Sequence, residues 1–471
     1  MTRAESSGLL GPKYRAASLA LMSAVAMASY NNLSVTAALP DIGDDLGRVA
    51  LLPWVVTVEL VAAAIAVLAV GPYIDGAGAR RAFRITVVAF LGTSAMCAAA
   101  PTMELLVLAR VLQGLGSGAL IGTALTSIGL VFDDAVRPWA YALMSSVWGI
   151  MGIGGPALAA VLVSTLGWRA VFAANLPVAV AGAAAEPVDR RGLLLLSAFT
   201  VVLLVATSYL EWYSIALVVV GVAVGALYVV HARSSRWPVV RLSHVTAGRW
   251  RYIHIVGVLA VSGGTGASVF LPLYLKAARG SSVAFAAFAV IWPTLGWSVA
   301  AWVSGKLQQH LRAQTVTVIG SWFMAVGAVW ATVASGAEAP VPLLLASFTC
   351  VGWGIGMIST SSLALLQGRA DLREMGRVSS AHHFIRSLGF AYGAAVAGLV
   401  MFWVVDRRTG DAELVRGLLS DAEPVVDGAV AAAVGAAYTW SLGVMALLSV
   451  LTVPAALALA QGRDRSGPRP R

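Results

Sequence analysis

Long apolar runs recur from one end of the chain to the other, separated by short polar stretches. They begin near Ala17, Leu51, Phe83, Met103, Val136, Trp168, Gly192, Tyr213, Tyr252, Val283, Gln314, Val341, Val378 and Val430. A helix needs about 20 apolar residues to cross roughly 30 Å of hydrocarbon, so the pattern predicts fourteen membrane-spanning helices and an all-α integral membrane protein. The run from Trp168 to Ala185 is short for a crossing, which reduced tilt or a locally thinned bilayer accommodates. A charged link from Glu186 to Arg191 follows, and two spans then join through a turn at Leu210, Glu211 and Trp212. The polar stretch His231 to Arg251 leads into the remaining spans. The predicted organisation is a six-helix bundle over residues 1–185, an inserted transmembrane hairpin over 186–230 and a second six-helix bundle over 231–471.

Composition agrees with a lipid solvent. Hydrophobic residues make up 59% of the chain and charged ones 11%, with a mean hydropathy of +0.83; a water-soluble globule of this length is excluded. Arg3, Lys13 and Arg15 precede the first span, so a cleavable signal is not expected and the amino end is expected in the cytoplasm. Cys97 and Cys350 both fall inside spans and far apart in sequence, which gives a disulfide framework no support.

The formal net charge of +10 orients the chain rather than recruiting a polyanion. With both termini cytoplasmic, the inner side collects about 23 Lys and Arg residues against about seven outside (Arg48, Arg169, Lys276, Arg279, Arg407, Arg408 and Arg416). Scattered over short loops, these charges do not form the clustered, aromatic-interleaved surface that nucleic acid requires. A multi-pass protein of a cell membrane is expected.

Between the second and third spans lies Gly71-Pro-Tyr-Ile-Asp75-Gly-Ala-Gly78-Ala-Arg80-Arg81, a carboxylate and a basic pair in a glycine-rich loop. The fourth span carries Arg110-Val-Leu-Gln113-Gly114, and the fifth carries Gly149-Ile-Met-Gly152-Ile-Gly-Gly155-Pro156-Ala-Leu-Ala159-Ala160. The sixth opens with Trp168-Arg169-Ala-Val-Phe172-Ala-Ala-Asn175-Leu-Pro177.

These stretches resemble, in order, the G-x-L-x-D-x-x-G-x-R/K-R/K loop, the R-x-x-Q-G pattern, the G-x-x-x-G-P-x-x-G-G antiporter element and the W-R-x-x-F-x-x-N-x-P element of the major facilitator superfamily. The last is close to the fourteen-helix drug/proton antiporters. Tyr73 stands where leucine is usual, and Ala159 and Ala160 replace the final glycine pair. The resemblance implies a major facilitator fold in which Gly71, Asp75, Gly78, Arg80, Arg81, Gly155 and Pro156 serve gating. A second reading of the loop leaves Arg80, Arg81 and Arg84 as anchors of a helix end.

Few ionisable residues fall within the spans, and charge in the bilayer centre is costly and functional by default. Glu59 lies roughly 12 Å below the outer end of its span, Arg110 roughly 10 Å and the Asn31/Asn32 pair roughly 12 Å, at 1.5 Å per residue; the four can share one layer. Arg110, Gln113 and Ser117 form one helical stripe. The first span resembles L-D-x-T-x-x-N-x-A-L-P, but Asn31 replaces the aspartate, and an amide does not exchange protons near neutral pH. Glu59 is the natural substitute. Burial and a nearby guanidinium act on a carboxylate in opposite directions, so two roles stand open for Glu59 and Arg110: proton exchange, or a permanent ion pair that keeps helices in register.

In the thirteenth span, Arg386 lies roughly 12 Å from the cytoplasm beside His382 and His383, a secondary polar group that can titrate near neutrality or serve as interfacial hydrogen-bonding residues. A cavity near the midplane has aromatic and sulfur-bearing candidates in Trp54, Trp148, Phe270, Tyr274, Trp292, Trp297, Trp353 and Met357, with Asn31, Asn32 and Gln113 as polar ones. Such a lining suits large apolar or amphipathic molecules.

The expected function is proton-coupled export of hydrophobic or amphipathic small molecules, drug-like compounds or lipids, by alternating access. The alternatives are an uncoupled facilitator or lipid transporter of the same fold and a non-transporting membrane scaffold or sensor. The partners are the substrate, protons and the bilayer, with no cofactor and no metal, and the chain is expected to act as a monomer. No G-x-x-x-x-G-K-[ST] occurs, which argues against direct use of ATP, and no nucleophile elbow or separate polar domain suggests an enzyme.

Overall fold

A computed structural model describes residues 11–48, 51–175, 214–235, 240–248, 250–410 and 428–461, with residues 9 and 238 and scattered positions between 191 and 202. The elements are α1 (Arg15–Leu46), α2 (Leu52–Ala77), α3 (Ala79–Ala98), α4 (Met103–Val131), α5 (Arg137–Leu166), α6 (Arg169–Ala173), α7 (Ser214–Ser234), α8 (Leu242–Thr246), α9 (Trp250–Val269), α10 (Leu271–Ala277), α11 (Val283–Ala289), α12 (Ile291–Leu307), α13 (Ala313–Gly336), α14 (Val341–Gln367), α15 (Met375–Thr409) and α16 (Gly428–Gln461). Among the described residues there is no strand, and ten helices are long and apolar enough to cross a membrane. An all-helical chain answers the solvent: in hydrocarbon every backbone donor and acceptor has to be satisfied within the segment.

Most of the expected spans correspond to these helices. The run from Gly192, the turn at Glu211, the later part of the run from Trp168 and residues 411–427 lie largely or wholly outside the described residues. The run from Val283 is two pieces, α11 and α12, which meet at Val290, and α9 gives way to α10 at Phe270. Pro272 opens α10; proline has no N–H to continue a helix but fits its first turn.

One correction concerns the stretch Gly71 to Arg81. Rather than forming a loop, it continues α2 through Pro72 and Asp75 to Ala77, and Gly78 alone, at φ +83°, turns the chain into α3. A positive φ is where glycine is favoured. α4 starts more conventionally: the Thr102 hydroxyl accepts from Leu105 N–H at 3.4 Å, and Glu104 lies in the first turn, where a negative charge suits the helix dipole.

The chain folds into two compact units, Met1–Leu242 with Leu366–Ala391, and Ser243–Leu365 with Tyr392–Arg471. In the first, α2 and α3 pack on α4 and α1 packs on α5, around a core that includes Val35, Ile42, Val55, Met103, Leu106 and Phe172. In the second, α9 and α13 pack on α16, with Leu271, Phe348, Met401, Tyr438 and Met445 in one core cluster.

Small residues let the α2–α4 pair approach. A Cβ on Gly114 would lie 2.3 Å from the Glu59 carbonyl oxygen, and one on Gly118 would lie 2.0 Å from that of Ala63. Lipid supplies no hydrophobic drive between helices, so such backbone contact is the main source of their association.

Candidate functional site

The α2–α4 contact holds the polar cluster of the first unit. α4 contributes Arg110, Gln113 and Ser117, α2 contributes Glu59, and α1 contributes Asn31; all five are buried. Nη2 of Arg110 lies 3.6 Å from Oε2 of Glu59, with both side chains 1% exposed. Nε of Arg110 donates to the Val55 carbonyl at 2.8 Å, and Nη1 donates to Asn31 Oδ1 at 3.1 Å and Gln113 Oε1 at 2.6 Å. The face of Phe172 completes the site, its ring centre 5.8 Å from the guanidinium carbon.

Around Glu59 the donors are equally close. Ser117 donates to Oε1 at 2.6 Å and Asn31 Nδ2 at 3.3 Å. Asn32, with its amide turned so that the nitrogen faces the carboxylate, reaches Oε1 and Oε2 at 3.3 and 2.8 Å. Taking two ions out of water costs several kcal/mol each, which attraction offsets only when further hydrogen bonds fill the remaining positions; here Nε and Nη1 of Arg110 and both oxygens of Glu59 have such partners. A proton added to Glu59 would cancel half of the ion pair and turn one acceptor into a donor, so protonation has a direct structural consequence on α1, α2 and α4.

The expected shared layer is therefore assembled by these contacts. Hydrogen-bonding matters also for two residues that depth reasoning passed over. Ser94 on α3 accepts from Gln113 Nε2 at 2.8 Å, and the Cys97 thiol, read from the sequence only as a small core residue, donates to Gln113 Oε1 at 3.2 Å. Both are neutral and small, so no cost of burial marked them out; their spacing of three on α3, facing Gln113, was the available signal.

At the other end of α2, Asp75 grips the start of α15. Its Oδ1 accepts from Gly376 N–H at 2.6 Å and its Oδ2 from Arg377 N–H at 3.1 Å, with Arg377 Nη1 at 3.9 Å. A carboxylate on the free amides of a helix start is favourable on both hydrogen-bonding and dipole grounds. A Cβ on Gly71 would lie 2.6 Å from the Gly376 oxygen, so this contact too depends on glycine. Arg80 and Arg81 lie exposed in the first turn of α3. In α5, Gly155 is buried, with Ser34 Oγ 3.3 Å from where its Cβ would be, and Pro156 lies inside the helix.

The remaining candidates are dispersed. His382 and Arg386 are buried and His383 half-buried on α15, roughly 9–15 Å along the helix from Gly376. Trp54, Trp148, Trp297 and Trp353 are half-buried and Trp292 is exposed. Phe270 and Tyr274 belong to the core of the second unit, where Tyr274 stacks on Tyr438 at 4.6 Å, and Met357 is packed with Ala300 and Val316. Among the described residues no group of His, Cys, Asp and Glu is placed to hold a metal ion.

Comparison with known proteins gives this geometry its context. The family described as Major Facilitator Superfamily matches residues 19–394. The chain belongs to that superfamily. Among its relatives within the superfamily, an uncharacterized MFS-type transporter of Mycobacterium tuberculosis is 29% identical over 86% of this chain and 61% of its own length; this chain thus spans less than two thirds of that relative. The multidrug transporter protein MdtP of Bacillus subtilis is 24% identical over 81% of this chain and 74% of its own. The solved proton:xylose symporter XylE, bound to 6-bromo-6-deoxy-D-glucose, aligns with a TM-score of 0.57 at 15% identity, covering 92% of this chain and 94% of XylE, a likeness of fold.

Proposed function

We propose that this superfamily member is a secondary active transporter that exports hydrophobic or amphipathic small molecules in exchange for protons, by alternating access. The observation that carries the reading is the buried Glu59–Arg110 pair with Asn31, Gln113 and Ser117 around it. Glu59 is the proton carrier. Arg110 is the counter-charge that loses its partner when the proton arrives, and the hydrogen bonds from α1 and α4 make that loss a force between helices. Asp75 on the Gly376 and Arg377 amides is the inner latch, closed in this arrangement.

The substrate class rests on the half-buried tryptophans Trp54, Trp148, Trp297 and Trp353 and on the multidrug name of the Bacillus subtilis relative. The concentration of Lys and Arg on one side supports a cell-membrane protein with both termini cytoplasmic. The grouping of residues 1–185, 186–230 and 231–471, action as a monomer, and a secondary contribution of His382, His383 and Arg386 complete the proposal.

One observation favours a second reading, an uncoupled facilitator or lipid transporter: Asn31, where the resembling antiporter element has aspartate, is an amide that binds Glu59 and Arg110 without exchanging a proton. Purified protein in liposomes with an imposed pH gradient separates the two. Under the coupled reading, adding an amphipathic cation moves protons; substrate that crosses without proton movement supports the uncoupled reading, and a panel of amphipathic compounds of which none crosses supports a scaffold or sensor instead.

A further inference from the structure

A second set of polar contacts converges on the junction of α14 and α15, and it meets at one side chain that sequence reasoning did not single out. Gln367, the last residue of α14, is 2% exposed. Its Nε2 donates to the Leu125 carbonyl of α4 at 3.1 Å and to Ser379 Oγ of α15 at 3.0 Å, while its Oε1 accepts from the Tyr141 hydroxyl of α5. One amide thus joins the α14–α15 corner to two other helices of the same compact unit. Gly129 on α4 makes the seat: a Cβ there would lie 2.7 Å from Gln367 Oε1 and 2.9 Å from the Met375 sulfur.

We infer that Gln367 is a second closing element of the inner gate, holding α4 and α5 as Asp75 on α2 holds Gly376 and Arg377. The inference rests on the transport reading above. Gln367 and Gly376 flank the short turn that joins α14 to α15, with its 3-10 segment Leu372–Glu374, so the two contacts grip one corner from opposite ends. Their chemistry differs. Asp75 is a charged cap on backbone amides, whereas the partners of Gln367 are a phenol, a helix carbonyl and a hydroxyl, all neutral. Neutral groups exchange protein partners for water at small net free energy, which suits a contact that breaks and re-forms in every cycle; an unpaired buried charge at the same place would resist both. Leu125, already bonded within α4, loses nothing essential on opening, and water takes the positions that Tyr141 and Gln367 vacate on each other. Gln367 is therefore a positioning residue of the gate, touching neither proton carrier nor cargo.

The test is the accessibility of Ser380, which is buried against Gly71 beside both contacts. The reporter S380C is placed in the full chain with C350A, and Cys97, fully buried, stays as an internal indicator of unfolding. A membrane-impermeant methanethiosulfonate is applied from the cytoplasmic side of inside-out vesicles. Q367L and Y141F are expected to raise the modification rate of S380C at least threefold, as D75A does, with Cys97 unmodified throughout. Unchanged rates in both variants, with D75A raising the rate, overturn the inference. Modification of Cys97 in Q367L means that this variant has unfolded, and Y141F, which removes one hydroxyl, then decides alone by the same criterion. Failure of the transport reading looks different: the wild-type protein moves no compound, while the labelling rates keep their order.

Discussion

Oε2 of Glu59 lies 3.6 Å from Nη2 of Arg110 with both side chains 1% exposed, and the other carboxylate oxygen takes the Ser117 hydroxyl at 2.6 Å. An ion pair so enclosed contributes little net stability as a pair, but removing one member leaves an uncompensated charge that costs about 3–5 kcal/mol. R110A is therefore expected to lower the apparent Tm of the detergent-solubilised protein substantially. R110K, which keeps the charge but not the reach to Val55, Asn31 and Gln113 together, is expected to fall in between. Wild-type melting of R110A would show that the Glu59–Arg110 contact contributes nothing to stability.

Close approach of α2 and α4 makes a second prediction. G118A puts a methyl 2.0 Å from the Ala63 carbonyl oxygen, so the helices have to separate, at a cost of about 1–3 kcal/mol as in other overpacked sites. Gly92 on α3 is exposed with nothing within 4 Å of an added Cβ. G92A is expected to leave stability unchanged or raise it by up to about 1 kcal/mol through helix propensity. Thermal unfolding of the two variants side by side measures the contrast.

Asp75 supports a third. D75A removes the acceptor of two amides at the start of α15, a loss comparable to deleting a helix cap, about 0.5–2 kcal/mol. The expected effect falls on the start of α15: hydrogen exchange of the segment around Gly376 rises, while that of α13 in the second unit stays as in the wild type. Equal rises in both segments would mark general destabilisation instead.

At the amino end, Asp133 in the turn after α4 accepts from Lys13 Nζ at 2.6 Å and from the Tyr14 hydroxyl at 2.5 Å. Those hydrogen bonds, from Lys13 first, hold the Asp133 carboxyl below its ordinary value of 3.8 and, from Asp133 first, push Lys13 above 10.5. A lowered carboxylate stabilises at pH above its unfolded value and stops doing so as pH falls through the folded one; the raised lysine does the converse above pH 10.5. Proteolysis near residue 13 is thus expected to be slow and flat around neutral pH and to accelerate either as pH falls through the folded Asp133 value, below 3.8, or as it rises through the folded Lys13 value, above 10.5. D133N is expected to accelerate it at neutral pH. A wild-type rate in D133N would remove Asp133 from the account.

What the sequence revealed followed cost. Glu59 and Arg110 stand out because a charge in an apolar run has to be functional or paired, and helix rise alone put them in one layer. Neutral polar residues near span ends carry no such mark. Gln367, Tyr141 and Ser94 matter through partners far away in sequence, Gln367 and Leu125 being on α14 and α4. Composition also misled at Gly71 to Ala77: glycine and proline suggested a loop, yet α2 continues there, and Gly71 gives it a surface on which the Gly376 backbone lies close. The tryptophans were visible as residues, but nothing in their spacing separated a half-buried Trp148 from an exposed Trp292.

Whether Glu59 carries the coupling proton is decided by E59Q in proteoliposomes with a pH-sensitive dye inside and an imposed proton gradient. Glutamine keeps the shape and an acceptor for Ser117 but cannot exchange a proton. Adding an amphipathic cation is expected to move protons with the wild-type protein and none with E59Q, while E59Q still exchanges labelled for unlabelled substrate across the membrane. Proton-driven transport by E59Q at the wild-type rate would rule Glu59 out as the proton carrier.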